Sequence, residues 1–133
     1  MRAPRAAAKD RRRTPSPFVS HCVALLMPLG PVMPKAMFGG WGLYLDGRMF
    51  ALIARDMLHF KTDDQTKGRF AAAGSEPFVY HNRSAPVETS YWRVPEGAMN
   101  DPDVLLPWAE FAVAAARRAA AANSRARSRN CRE

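Results

Sequence analysis

Residues 37–53 read MFGGWGLYLDGRMFALI, and this stretch predicts two β-strands joined by a tight turn. The turn is placed at Asp46-Gly47, a dipeptide that accepts the positive φ angles of a type I′ hairpin. Cross-strand partners share a face of the sheet, so folding at this turn predicts an apolar face and a mixed face. The predicted pairs are Leu45 with Arg48, Leu43 with Phe50 and Trp41 with Leu52. The apolar face would carry Trp41, Leu43, Phe50 and Leu52, and the other face Gly40, Gly42, Tyr44, Met49, Ala51 and Ile53.

A third strand, residues 57–62, is predicted to return antiparallel after a turn at Arg55-Asp56. A two-residue turn would place His59 opposite Leu52, whereas a three-residue connection would place Phe60 there. A one-residue slip exchanges the two faces of a strand, and the apolar pattern favours the longer connection. We therefore expect a three-residue turn or a bulge at this point.

The remaining segments complete an α+β domain. Ser16-Pro17 and Asp101-Pro102 are each a cap followed by proline, which begins a helix. A short helix is expected from Asp63-Asp64 to about Ala73, and a second hairpin from residues 78–81 and 87–94. The predicted order is helix, three strands, helix, two strands, helix, with an antiparallel sheet of about five strands and helices packed against it. The domain is predicted over 16–119, between disordered basic tails at 1–15 and 120–133, with the last helix fraying after Arg117.

The positive charge lies at the two ends of the chain. The 133 residues carry a formal net charge of +8, and residues 1–13 and 117–133 each hold six basic side chains and one acidic side chain. Residues 14–116 hold eight basic and ten acidic residues. Arginine-rich ends can attract phosphates in a salt-sensitive way, and the candidate nucleic-acid contacts are Arg11, Arg12, Arg13, Arg125, Arg127 and Arg129. Solvated tails are the favoured interpretation.

Neither a disulfide framework nor a metal site is predicted. Cys22 and Cys131 have no CxxC or CxxH spacing, and helix capping explains Asp63-Asp64 better than a metal pair does. No apolar run reaches the length of a membrane span, so we expect a cytoplasmic protein without membrane contact. Ser75, Ser90 and Cys22 could act as nucleophiles, but they lie in no catalytic motif. We expect no catalytic residue and no enzymatic activity.

Several blocks together resemble a known family. The stretch 37–53, then LHFKTDD, FAAAGSEPFVY and SYWRVPEGAMNDPDVLLPWAEFAVAAARRA, is similar to the N-terminal domain of the TfoX (Sxy) family from about Phe18 to Ala119. That family is associated with bacterial regulators of natural competence, so the resemblance implies a regulatory role without enzymatic activity or cofactor. The full regulators carry a second, helical domain that resembles DNA-binding modules. This chain has AAAANSRARSRNCRE there, so the resemblance does not imply direct DNA contact.

The candidate interaction residues surround the first hairpin and the aromatic strand positions. Gly39, Gly40 and Gly42 could form an anion-binding nest, although close backbone packing is the favoured use of glycines in a strand. Aromatic side chains on a sheet can also stack bases. We expect them instead to pack under the helices, or to form a protein interface if they are exposed together. The candidates are Lys35, Phe38, Gly39, Gly40, Gly42, Tyr44, Lys61, Tyr91 and Trp92.

These observations favour a small binding module with a regulatory protein partner, as a monomer or homodimer. The alternative is a nucleic-acid accessory protein that binds phosphates through its arginine-rich tails.

Overall fold

A computed structural model describes residues 14–37, 40–81 and 85–132 of the chain. Helix α1 spans Pro17–Leu26, a 3₁₀ turn follows at Met27–Leu29, and strands β1 to β4 span Met33–Met37, Gly40–Leu45, Arg48–Ala54 and Met57–Lys61. Helix α2 (Lys67–Ala72) precedes β5 (Pro77–His81) and β6 (Pro86–Arg93), and a 3₁₀ turn at Ala98–Asn100 leads into helix α3 (Pro102–Arg132).

The strands form one antiparallel sheet in the order β1-β2-β3-β4-β6-β5. This confirms the α+β class and adds a strand to the five expected. The additional strand is β1, in which residues 33–37 pair with β2 along its whole length. Its sequence, MPKAM, contains a proline, which normally lowers the strand prediction. The pairing is tolerated because β1 lies at the edge of the sheet, where proline is allowed.

The first hairpin contains a bulge that the sequence did not reveal. Leu45 pairs with Arg48 as predicted, but the register then shifts, and Leu43 pairs with Ala51 instead of Phe50. Phe50 is the extra residue, and its ring packs in the core at 6.4 Å from the ring centroid of Phe60. A bulge inserts one residue and so exchanges the faces that follow it. The predicted partnership of Trp41 with Leu52 is therefore wrong.

Beyond the bulge, the side chains of β3 lie on the faces opposite to those predicted. Trp41 pairs with Ile53, so Ile53 lies on the core face and Leu52 on the opposite one. The connection at Arg55-Asp56 is a two-residue turn, with Ala54 paired to Met57 and Leu52 to His59. The three-residue connection was therefore wrong. The expected irregularity exists, but it lies one strand earlier, at Phe50.

The helices pack on one face of the sheet and form the main core with it. Helix α1 begins as predicted, with the Val19 amide donating to Ser16 Oγ at 3.2 Å. Helix α3 also begins as predicted, with the Asp103 amide donating to Asp101 Oδ1 at 3.0 Å. The inner face of α3 carries Leu105, Ala109, Ala112, Ala115 and Ala116, which are buried, and Trp108, which packs against the core. The core combines helix residues Val19, Cys22, Leu26, Phe70, Leu105, Ala109 and Ala112 with sheet residues Leu43, Phe50, Ile53, Leu58 and Phe60.

Two helix boundaries differ from the prediction. Helix α3 continues to Arg132 instead of fraying after Arg117. Helix α2 begins at Lys67, four residues after Asp63. Asp63 instead accepts two hydrogen bonds from Arg118, at 2.5 Å from Nε and 3.0 Å from Nη2. This pair ties the loop before α2 to the long helix, and the hydrogen bonds from Arg118 are the main reason that the pKa of Asp63 is lowered. The predicted end of α2 at Gly74 is confirmed by its φ of +85°.

Candidate interaction surface on the open face of the sheet

The side of the sheet away from the helical core carries the candidate site, and we call it the open face. Alternation along each strand places every second side chain there, and the register aligns those side chains across neighbouring strands. Leu52 and His59 illustrate the division, because both are buried but neither belongs to the core that the helices form. The open-face side chains of β1–β4 and β6 are Met33, Lys35, Met37, Tyr44, Met49, Leu52, Met57, His59, Lys61, Tyr91 and Arg93.

Two lysine–tyrosine pairs give this face its chemical character. Lys35 Nζ lies 4.6 Å from the centroid of the Tyr44 ring, and Lys61 Nζ lies 5.3 Å from that of Tyr91. Both distances are within the range of cation–π attraction. Lys61 also donates a 2.8 Å hydrogen bond to Ser90 Oγ. The two ammonium groups are therefore held in defined places on the sheet.

Burial changes the ionisation of Lys61 and Tyr91. Burial lowers the pKa of Lys61, and the nearby carboxylate of Asp63 opposes this effect. Burial also raises the pKa of Tyr91 to about 12, with the neighbouring Tyr44 as a secondary cause. The Tyr91 hydroxyl stays protonated as a result, and it lies 3.4 Å from the Met49 carbonyl oxygen. Tyr91 therefore spans from β6 across β4 toward β3.

Gly42 makes room for the side chains at the β1 end of this face. A Cβ atom built on Gly42 would lie 3.0 Å from the Sδ atoms of Met37 and Met49, and 3.1 Å from Cε1 of Tyr44. A Cβ on Gly40 would lie only 2.3 Å from the Ile53 carbonyl oxygen. These contacts support close packing, the use we favoured for these glycines over an anion nest.

A depression of about 200 Å³ occupies the other end of the open face. His59 lies in its wall with only 5% of its surface exposed. The imidazole Nδ1–H donates to the Met57 carbonyl at 3.1 Å, and the Phe78 ring packs edge-on at 5.1 Å between centroids. Burial lowers the pKa of His59, which favours the neutral ring at neutral pH. The lining residues are Ala54, Arg55, Met57, His59, Glu76, Pro77, Phe78, Val79 and Arg93.

The structure brings most of the predicted interaction residues together. Lys35, Gly40, Gly42, Tyr44, Lys61 and Tyr91 are all on the open face. The expected packing of Tyr44 and Tyr91 under the helices is wrong, because the strand register places both on the side of the sheet away from the helical core. Trp92 does lie on the helix side, where it packs against the core.

Other predicted residues fall outside this surface. Phe38, Gly39, Arg11, Arg12 and Arg13 lie outside the described residues, as does the predicted disordered tail up to residue 13. Arg125, Arg127 and Arg129 belong to helix α3, whose side chains are described only to Asn123.

The members of the surface that sequence reasoning missed include Met33, His59 and Arg93. Met33 belongs to the strand that was not predicted, and His59 faces the open side because of the two-residue turn. The positive φ angles that Arg55 and Asp56 adopt, 54° and 59°, are uncommon for residues other than glycine, asparagine or aspartate. Because arginine occupies the first position, the sequence did not predict a two-residue turn here.

The side chains considered as nucleophiles or metal ligands have structural partners. Burial raises the pKa of the Cys22 thiol to about 12, which opposes formation of the nucleophilic thiolate. Ser75 Oγ donates to the Arg93 carbonyl at 2.5 Å, and Ser90 accepts from Lys61. Within residues 14–37, 40–81 and 85–132, no three His, Cys, Asp or Glu side chains are grouped closely enough to hold a metal ion.

The fold and the surface together define a small α+β domain whose antiparallel sheet is packed with helices on one side and presents lysines, tyrosines and methionines on the other. The chain belongs to the TfoX N-terminal domain family, whose model matches residues 24–116. A comparison with curated proteins found no match. In the part of the chain that the structure describes, no helix has the length and apolar character needed to cross a membrane.

Proposed function

We propose that this protein is a binding module without enzymatic activity, which acts in regulation by docking a protein partner on the open face of its sheet. The observation that carries this proposal is the exposure of large apolar side chains beside the lysine–tyrosine pairs. Met33 and Met57 are 57% and 40% exposed at opposite ends of this face. Met33 and Met37, 57% and 39% exposed, lie on the same side of β1. Thioether side chains adapt their shape to a partner, and exposed apolar groups bordered by polar ones are typical of interaction sites.

Family membership supports a regulatory setting for this module. The resemblance to competence regulators suggests that the partner belongs to the control of transcription, inside the cytoplasm. The mechanism is surface complementarity, because the open face offers ammonium groups, hydroxyls and thioethers.

The test compares the capture of partners by two matched double variants of the full chain. Met33→Ser with Met57→Ser removes apolar groups from the open face. Met27→Ser with Val104→Ser removes groups of similar exposure, 51% and 43%, from the end of α1 and the start of α3. Proteins retained from an extract of the native cell are quantified by mass spectrometry for each variant and for the unchanged chain.

A partner that the unchanged chain and the control variant retain, but the open-face variant loses, supports the proposal. A partner retained equally by all three chains would show that the open face is not the docking surface. Far-UV circular dichroism of each variant establishes that the differences do not come from unfolding.

The arginine-rich ends favour a second candidate, a nucleic-acid accessory protein. Helix α3 continues without interruption to Arg132, so Arg125, Arg129 and Arg132 occupy successive turns of one continuous helix. Phosphate contacts by arginine weaken as salt rises. Removing residues 1–14 and 120–133 should abolish retention on DNA if this function holds. Retention that persists after trimming and does not respond to salt would contradict it.

A further inference from the structure

The strand residues of the open face carry basic side chains. Lys35, Lys61 and Arg93 lie on the open face. Among the strand residues that the structure describes, the only carboxylate is Glu88. Glu88 lines a cleft that also includes Asp64 and the core-facing Trp92, so it belongs to the helix side. Two carboxylates border the open face: Asp63 lies near Lys61 but is paired with Arg118, and Glu76 lines the depression beside Arg93. The strand residues of the open face are nevertheless cationic, although residues 14–116 carry more acidic than basic side chains.

The tyrosines of this face are poorly placed to stack bases. Lys35 and Lys61 each lie over the ring of the neighbouring tyrosine, and the edge of the Tyr44 ring lies against Gly42. Sheet-based recognition of single strands uses aromatic faces on which bases can stack. Here a lysine of the protein itself occupies that position over each ring.

The apolar groups of the face distinguish the remaining kinds of anionic partner. Met33 and Met37 flank Lys35 on β1, and both are exposed. On the neighbouring strands, Met49 packs beside Gly42. An ammonium group between thioethers suits a ligand that offers carboxylates and apolar side chains within a few residues of each other. A phosphate backbone offers charge without such apolar groups.

We propose that the open face binds a segment of a partner protein in which carboxylates alternate with apolar side chains. This inference rests on the proposed function and names the chemistry of its partner. Lys35 and Lys61 contact the carboxylates, with hydrogen bonds strengthened by charge on both groups. Met33 and Met37 contact the apolar side chains.

The test uses fluorescein-labelled peptides and the full-length protein. The first probe repeats the unit Asp-Leu-Glu-Phe, and the second repeats Asp-Ser-Glu-Ser, which keeps the charge and removes the apolar groups. A third probe is a single strand of oligothymidylate. Fluorescence anisotropy measures the affinity of each probe for the unchanged chain, for Lys35→Ala with Lys61→Ala, and for Lys67→Ala. Lys67 is the matched control because its side chain is 57% exposed near the N-terminus of α2.

We expect the first probe to bind more tightly than the second, and the open-face double variant to weaken its binding by about tenfold. Lys67→Ala should leave this affinity within about twofold, since the attraction of exposed charges is weak. The arginine-rich ends contribute equally to all three chains, so they cancel in the comparison.

Two results would overturn the inference in distinguishable ways. If the lysine variant binds the first probe normally but Met33→Ser with Met57→Ser does not, the surface is a docking site without preference for carboxylates, and the proposed function stands. If neither variant changes binding, the open face does not bind this peptide and the inference fails, whereas the proposed function is decided separately by the capture of native partners. A selective loss of oligothymidylate binding in the lysine variant would assign the face to nucleic acid instead.

Discussion

Gly40 and Gly42 lie on the same face of β2 but differ in the space that each leaves for a side chain. The site of a Cβ on Gly40 is blocked by the carbonyl oxygen of Ile53, which belongs to the backbone of the neighbouring strand. The site of a Cβ on Gly42 is bordered by methionine sulfurs and a tyrosine ring edge. Backbone atoms of a paired strand cannot move without disturbing the hydrogen bonds of the sheet, whereas the ends of methionine side chains can rotate.

We predict that Gly40→Ala lowers the free energy of unfolding by about 2–3 kcal/mol, in the range measured for overpacked sites. Gly42→Ala should lower it by less than about 1 kcal/mol, because flexible side chains give way. Urea unfolding followed by tryptophan fluorescence measures both variants. Equal losses would show that the approach of Ile53 to Gly40 does not limit the residue at that position.

At the scale of the element, the turns that join β2 to β3 and β3 to β4 differ in how well their residues suit the backbone conformation. Asp46-Gly47 was predicted from its composition, and its φ angles of 56° and 79° fit that prediction. Arg55-Asp56 adopts the same positive φ angles, although arginine does not favour them. The pairing of β3 with β4 therefore imposes positive φ angles at a position where arginine disfavours them.

Replacing Arg55-Asp56 with Asn-Gly should remove the energetic cost of these positive φ angles. We predict that Arg55→Asn combined with Asp56→Gly raises the free energy of unfolding by about 1 kcal/mol, because Asn-Gly suits a type I′ turn. The midpoint of urea unfolding measures this gain.

Gly47→Ala in the other turn provides the matching test. No atom outside its immediate neighbours lies within 4 Å of a Cβ at this position, so any loss comes from the backbone conformation. We expect a loss of about 1 kcal/mol. A loss in the Asn-Gly variant, or no change in Gly47→Ala, would contradict the assignment of both turns.

At the scale of the whole molecule, helix α3 packs against the domain over its first part and is exposed at residues 121–123. Among the side chains of helix α3 that the structure describes, up to Asn123, the last buried one is Ala116. Ala121, Ala122 and Asn123 are exposed, although the helix continues to Arg132. Burial of apolar surface supplies most of the stability of a domain, so the exposed residues 121–123 add little to it.

We predict that a chain of residues 14–120 folds with a free energy of unfolding within about 0.5 kcal/mol of the full-length protein, as is usual for changes at exposed positions. Far-UV circular dichroism should show a smaller helical signal, because the helical residues after Ala120 are missing. A large loss of stability would mean that the extension packs against the domain, and would move the predicted boundary at 119 toward the C-terminus.

The sequence by itself determined the features that depend on short-range backbone preferences. These are the Asp46-Gly47 turn, the helix starts at Ser16 and Asp101, the α+β class and the resemblance to the TfoX N-terminal domain. It also singled out six residues of the open face, of which it placed three on a common face. The six are Lys35, Gly40, Gly42, Tyr44, Lys61 and Tyr91, and the three are Gly40, Gly42 and Tyr44.

Only the tertiary structure decided the register and the sides of the sheet. The bulge at Phe50 turns Leu52 and His59 away from the helices, and pairing across the sheet brings Lys61 to Tyr91 and Lys35 to Tyr44. It also joins Asp63 to Arg118, 55 residues along the chain. A strand's side chains alternate with a period of two, so one inserted residue reverses every face that follows. Packing between distant segments decides on which face each side chain lies, and a local sequence pattern does not contain that information.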